Sequence, residues 1–193
     1  MITKFELNRK IFHIVLGTLL CALIYYEIIT PLLLLAITLL GGLTILLQRS
    51  HPLPLITRFI ETFERESYKQ YFPGRGIFFF FCGATISAYF FPKNIAVASL
   101  LILTFGDSTA HLVGAGFGKI KNPLSTDLRM IEGLIAAILI SIIVTIPFVP
   151  LISTVAGSTI ALLTESITLR IFNTKIDDNL FIPIIAGVVM MIV

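Results

Sequence analysis

The stretch GLIAAILISIIVTIPFVPLISTVAGSTIALLT, Gly133 to Thr164, holds 32 residues and no charge. A helix crossing the roughly 30 Å hydrocarbon core of a bilayer needs about 20 such residues. The run is too long for one helix, and the Pro147-Phe148-Val149-Pro150 element near its middle supplies a turn between two. Ile28 to Gln48 and Gly76 to Pro92 are likewise uncharged and apolar. Across all 193 residues, 56% are hydrophobic and 13% charged, tryptophan is absent and mean hydropathy is +0.99. A soluble domain carries about 25% charged residues, so the surplus apolar surface needs lipid. Composition therefore excludes a soluble enzyme, a disordered tail and a nucleic-acid binder.

Working outward from that run, the turn signals divide the chain into seven apolar helices within one unit, residues 1–193. The first runs from about Ile11 to Tyr26; the second opens at Thr30-Pro31, a cap followed by a proline in the first turn, and ends near Gln48. The third spans about Gly76 to Phe91, and the fourth starts at Ile95 after Pro92-Lys93-Asn94. The fifth starts near Ile131, the sixth returns from Pro150 to about Phe172, and the seventh runs from about Leu180 to the end. With the N-terminus inside, alternate loops hold 13 of the 14 Lys and Arg residues on the inner side, leaving only Lys93 outside. The expected architecture is thus all-α and polytopic with a cytoplasmic N-terminus, a multi-pass protein of the cell membrane if the source is prokaryotic.

Between the second and third helices, Leu55, Ile56, Phe59, Ile60 and Phe63 recur at helical spacing with Arg58, Glu61, Thr62 and Arg65 opposite. This pattern predicts an amphipathic helix lying on the inner membrane surface, with a plain interfacial anchor as its simplest role. Cys21 and Cys82 fall inside apolar segments and read as small hydrophobes. No zinc-type spacing occurs. Lys4, Arg9 and Lys10 precede an apolar run as in a signal peptide, but no small-x-small cleavage site follows.

Ionisable groups within apolar helices are costly and mark candidate functional positions. At 1.5 Å per residue, His13 lies about 21 Å from Glu27, Asp107 about 20 Å from Asn94 and Glu165 about 22 Å from Pro150. Three helices therefore put a polar group into one inner layer. Arg9, Lys10, Arg129, Glu132, Asp177, Asp178 and Asn179 sit just beyond it. Such a layer describes a site open to the cytoplasm, with its floor in the bilayer.

Arg9 and Lys10 share a helix face with His13, being four and three residues before it, and two cations beside an imidazole suit a polyphosphate. Asp107 can hold a divalent cation; Gly114, Gly116 and Gly118 can let backbone amides approach phosphates, and Lys119 can neutralise them. Packing through Gly114-x-x-x-Gly118 explains the glycines equally well, though not Asp107. A soluble-type phosphate loop is excluded, because it would need glycine at Val113 and a hydroxyl at Ile120. Helix capping accounts for Glu132 and for Asp177-Asp178-Asn179, whereas no packing role calls for a carboxylate at Glu165.

Taken in order, R-K-x-x-H at 9–13, R-E then P-G-x-G at 65–76, G-D-x-x-A with G-x-x-x-G-K at 106–119, E-G at 132 and D-N-x-x-x-P at 178–183 resemble the CTP-dependent lipid kinase family. That family includes dolichol kinase, phytol kinase and the CTP-dependent diacylglycerol kinase. The resemblance spans nearly the whole chain. It implies transfer of the γ-phosphoryl of CTP to a membrane lipid alcohol, a polyprenol first or a diacylglycerol, with Mg²⁺ or another divalent cation. On this resemblance Arg9, Lys10, Asp107 and Lys119 form the core of the nucleotide site, with Glu132, Glu165, Asp178 and Asn179 in support. Asp107 and Asp178 are the candidate metal ligands, and His13 and Glu165 the candidate proton acceptors.

The central part also resembles phosphatidate cytidylyltransferases, which share G-D-x-x-A, G-x-x-x-G-K and K-[ST]-x-E-G. Here the last element reads Arg129-Met130-Ile131-Glu132-Gly133, with arginine for lysine and no hydroxyl, and the closing H-G-G and D-R-x-D signature is absent. A proton-coupled transporter relaying through His13, Asp107, His111 and Glu165 is the alternative from another class. It lacks an outer-half chain of groups, where Glu27 stands alone.

Overall fold

The computed structural model describes residues 3–51, 53–64, 72–123, 125, 129–166, 170–171, 174–175 and 177–193. Arg65 and Glu66 of the R-E element lie outside them. The described chain is helical: α1 (Lys4–Tyr25), α2 (Pro31–Ser50), α3 (Pro54–Phe63), α4 (Arg75–Phe90), α5 (Lys93–Phe117), α6 (Ile131–Thr145), α7 (Leu151–Ser166) and α8 (Asp178–Ile192). Three helices, Lys4–Tyr25, Pro31–Gln48 and Lys93–Phe117, are long and apolar enough to cross a membrane. The other expected crossings, α4, α6, α7 and α8, are apolar but shorter.

Local chemistry explains some of the boundaries. Thr30 caps α2 by accepting from the Leu33 N–H at 3.3 Å, with Pro31 in the first turn. Helix α1 begins seven residues before the expected Ile11, because Thr3 caps it through the Glu6 N–H. Arg9, Lys10 and His13 consequently share one continuous helix. The expected sixth helix ends early, at Ser166. Arg170–Ile171 instead pairs antiparallel with Thr174–Lys175, a conformation that suits the β-branched Ile171 and Thr174.

Helix α5 carries the largest departure from the expected pattern. It continues past Asp107 to Phe117, and its Ile102–Asp107 section is wound as a π-helix, a form found often at functional sites. Gly17 of α1 lies against Thr104 and Gly106 against Ser141 and Leu162, so small residues let three helices close on this section. The core around it includes Leu100, Ile102, Leu103, Leu162, Ile182 and Phe80. At the far end of the bundle Lys93 donates to Glu27 at 2.5 Å, which holds the Glu27 carboxyl below its ordinary range.

The predicted amphipathic helix is present as α3. Its Phe59 and Phe63 meet Phe12 of α1, with ring centroids 5.3 and 4.6 Å apart. Gln48 ties it to the end of α2 through Thr57 and the Leu53 N–H.

Candidate functional site

One cavity of about 540 Å³ opens where α1, α4, α6 and α8 begin and where the second half of α5 and the end of α7 arrive. It collects Arg9, Lys10, His13, Asp107, Gly114, Arg129, Glu165, Asp178 and Asn179 from the sequence-predicted set.

Its charges are held in pairs. Lys10 is almost fully buried and donates through Nζ to Asp107 Oδ2 at 2.6 Å. The close approach of α1 to the π-helical section at Gly17 brings the two side chains together. Arg129 bridges two helices: its guanidinium donates to the Glu165 carboxylate, to the Glu165 carbonyl at 2.9 Å and to Asp178 Oδ2 at 2.8 Å. Burial works against the Arg129 charge, but Glu165 and Asp178 outweigh it and raise the guanidinium above its ordinary range. The residue is aimed by a pinned loop, in which the Asn122 N–H donates to the Arg129 carbonyl at 2.8 Å and the Ile131 N–H to Ile120 at 2.9 Å.

A third pair was not legible in advance. Arg75 Nε donates to Asp177 Oδ2 at 3.1 Å, while Asn179 Nδ2 donates to the Gly76 carbonyl at 3.2 Å and to Asp177 Oδ1 at 3.0 Å. These contacts join the first turns of α4 and α8, which come close because Gly83 offers no side chain toward the Asn179 carbonyl and Pro183. Burial pushes the Asp177 carboxyl above its usual range against the pull of the Asn179 N–H and Arg75. Arg75 is the unassigned position of P-G-x-G. Its charge at the edge of an apolar run, level with the other inner groups, was the signal for it.

Two imidazoles complete the polar half. His111 Nε2 lies 3.5 Å from Glu6 Oε2, and Glu6 also accepts from Arg9 at 2.8 Å. His13 Nε2 is buried without a hydrogen-bond partner among the described residues, and the His13 ring stands edge-on to Phe80 at 5.2 Å.

Gly116, Gly118, Lys119 and Glu132 do not line the cavity. Lys119 is exposed, and the Glu132 carboxylate accepts the backbone N–H groups of Lys119 at 2.9 Å and Ile120 at 3.1 Å, tying the end of α5 to the start of α6. Gly114 packs beside Gly133, and Gly118 against Met130. These contacts are those of helix packing.

Among the described residues no three His, Cys, Asp or Glu side chains converge as a metal cage. Asp107 and Asp178 nevertheless fit a Mg²⁺ that arrives with a nucleotide, since that ion is commonly held by one or two carboxylates, phosphate oxygens and water.

A protein of Methanocaldococcus jannaschii, described as uncharacterised, is 26% identical over 189 residues, covering 96% of this chain and 92% of that protein. No protein-family profile matches the chain. No solved structure matches it either.

Proposed function

We propose that the protein is a CTP-dependent lipid kinase of the cell membrane, transferring the γ-phosphoryl of CTP to the hydroxyl of a membrane lipid alcohol, a polyprenol before a diacylglycerol. The observation that carries this proposal is one cavity in which four buried or half-buried cations, Arg9, Lys10, Arg75 and Arg129, share space with carboxylates, the His13 imidazole with its unpartnered Nε2 and an apolar wall. A polyphosphate needs the first group and a lipid alcohol the last. The motif order along the chain adds the choice of CTP.

The transfer is in line. The lipid oxygen bonds to the γ-phosphorus as the bond from that phosphorus to the β,γ-bridging oxygen breaks, and CDP leaves. Such reactions depend mainly on positioning and on charge stabilisation. Lys10 and Arg129 take up phosphate charge, exchanging part of their carboxylate contacts for phosphate oxygens, and Arg9 and Arg75 steer the nucleotide to the mouth. Asp107 and Asp178 would hold a Mg²⁺, which would supply further neutralisation of the phosphates. His13 accepts the hydroxyl proton at Nε2. It is preferred to Glu165 because Nε2 is unpartnered, whereas the Glu165 carboxylate already accepts from Arg129.

The proposed topology has seven crossings, a cytoplasmic N-terminus and the cavity at the cytoplasmic face. It is supported by the basic residues of alternate loops and by the cavity's lining, to which successive helices contribute opposite ends.

The test supplies purified protein in lipid with CTP labelled at the α or the γ phosphate, plus polyprenol, diacylglycerol or phosphatidate. Label passing from γ into an alcohol is the expected outcome. Label from α into phosphatidate would make the protein a cytidylyltransferase, and no labelled lipid from either would remove both enzymes.

A further inference from the structure

The cavity has a second half that the phosphate chemistry leaves unused. Phe12 and Leu16 of α1, Phe59, Ile60 and Phe63 of α3 and Phe80 of α4 form its apolar side. Phe59 and Phe63 close on Phe12, so α3 packs against α1 along this side. The boundary between the two halves is His13, edge-on to Phe80 on one side and near Asp107 and Lys10 on the other.

We propose that this apolar half seats the first carbons of the acceptor's chain, with α3 as its cover and the aromatic trio Phe12, Phe59 and Phe63 as its specificity element. The proposal deepens the transfer reaction proposed above and rests on it for the identity of the acceptor as an alcohol. A phosphate gains nothing from six apolar side chains, and a hydrocarbon gains nothing from Lys10 and Asp107. Only a molecule carrying a polar end on an apolar chain satisfies both halves. Moving such a chain from bilayer to an apolar wall is close to neutral, so the acceptor enters from the membrane and is held by its hydroxyl. The six side chains carry no hydrogen-bonding group. Ester carbonyls next to the hydroxyl would therefore be left unsatisfied there, which costs binding. The seat selects an alcohol whose hydrocarbon begins beside the hydroxyl, as in a long-chain or isoprenoid alcohol, over a glycerolipid.

The chain has no tryptophan, so a single introduced one reports on its own position. Phe63→Trp, and Phe59→Trp should the first fail to fold, would be placed in lipid nanodiscs beside Leu39→Trp, whose site on α2 is exposed at the outer surface of the bundle. The probes are a long-chain primary alcohol brominated along its chain, a diacylglycerol with brominated chains and a brominated phosphatidylcholine. The expected result is saturable quenching of Phe63→Trp by the alcohol, several-fold above that of Leu39→Trp, with weaker quenching by diacylglycerol. Quenching that follows bulk phosphatidylcholine as it does at Leu39→Trp would reduce α3 to an interfacial anchor and overturn the seat. Equal saturable quenching by diacylglycerol would overturn its selectivity. Saturable quenching by the alcohol without transfer from γ-labelled CTP supports the seat and refutes the kinase; transfer with unsaturable quenching refutes the seat alone.

Discussion

At Lys10 and Asp107 two opposite charges share a site from which water is largely excluded, with side chains 4% and 18% exposed. Removing one partner of a buried pair strands the other and costs about 3–5 kcal/mol, whereas replacing both by apolar groups is often neutral. Lys10→Met alone should therefore lower the thermal stability of the solubilised protein markedly, and Lys10→Met with Asp107→Leu should recover most of the loss. Both variants should lose at least ~100-fold in transfer from CTP, since a lost preorganised charge contact commonly costs that much. A stable double variant with undiminished turnover would reduce the pair to a structural device. Spacing and depth arithmetic sufficed to bring His13, Asp107 and Glu165 to one layer, because helical rise converts sequence separation directly into height. The same arithmetic cannot show which way a side chain turns. That is why the Arg129 bridge, the Arg75–Asp177 pair and the hydrogen bonds from the Lys119 and Ile120 N–H groups to Glu132 emerge only in three dimensions.

Among the elements, the crossing of α5 and α6 is set by glycine. A Cβ on Gly133 would run into the Ala110 carbonyl and lie 3.0 Å from Gly114 Cα, both backbone atoms that cannot rotate away. Gly133→Ala should destabilise the protein by about 1–3 kcal/mol through forced separation of the helices. Gly41→Ala, which meets nothing within 4 Å on α2, should be neutral or slightly stabilising because alanine favours helix. Unfolding in a mild detergent compares the two, and equal effects would show that the crossing tolerates a wider spacing. Elements with strong local punctuation, such as the Thr30-Pro31 start of α2 and the 3.6-residue apolar stripe of α3, were legible from sequence. The π-helical section was not, since nothing in Ile-Leu-Thr-Phe-Gly-Asp marks a change of winding that depends on α1, α6 and α7 packing around it. The sixth expected helix is present as α7, but its expected span is too long because no proline or glycine after Ser166 marks where helix gives way to the short β-ribbon.

For the whole molecule, the question is how apolar helices of such unequal length would share one bilayer, three of them being long enough to cross it and four shorter. Helices of 15 or 16 residues such as α6 and α7 measure about 22–24 Å, short of a core of about 30 Å. Local thinning and the flanking turns must supply the difference if they cross, and mismatch of that size carries only a modest cost. Charge then decides direction. In the expected topology 13 of the 14 basic residues lie on the side of the N-terminus, and Lys93, the remaining one, is neutralised by Glu27. An N-terminus facing the cytoplasm is the orientation that keeps those basic loops uncrossed. Single cysteines test it in a background with Cys21→Ala and Cys82→Ser. A maleimide that cannot cross the membrane, added to intact cells, should label cysteine substituted for Asn94 and spare cysteine substituted for Lys121 until the membrane is opened. The reverse pattern would turn the cavity outward, away from the cytoplasmic nucleotide pool, and a kinase fed by CTP would then have no access to its donor.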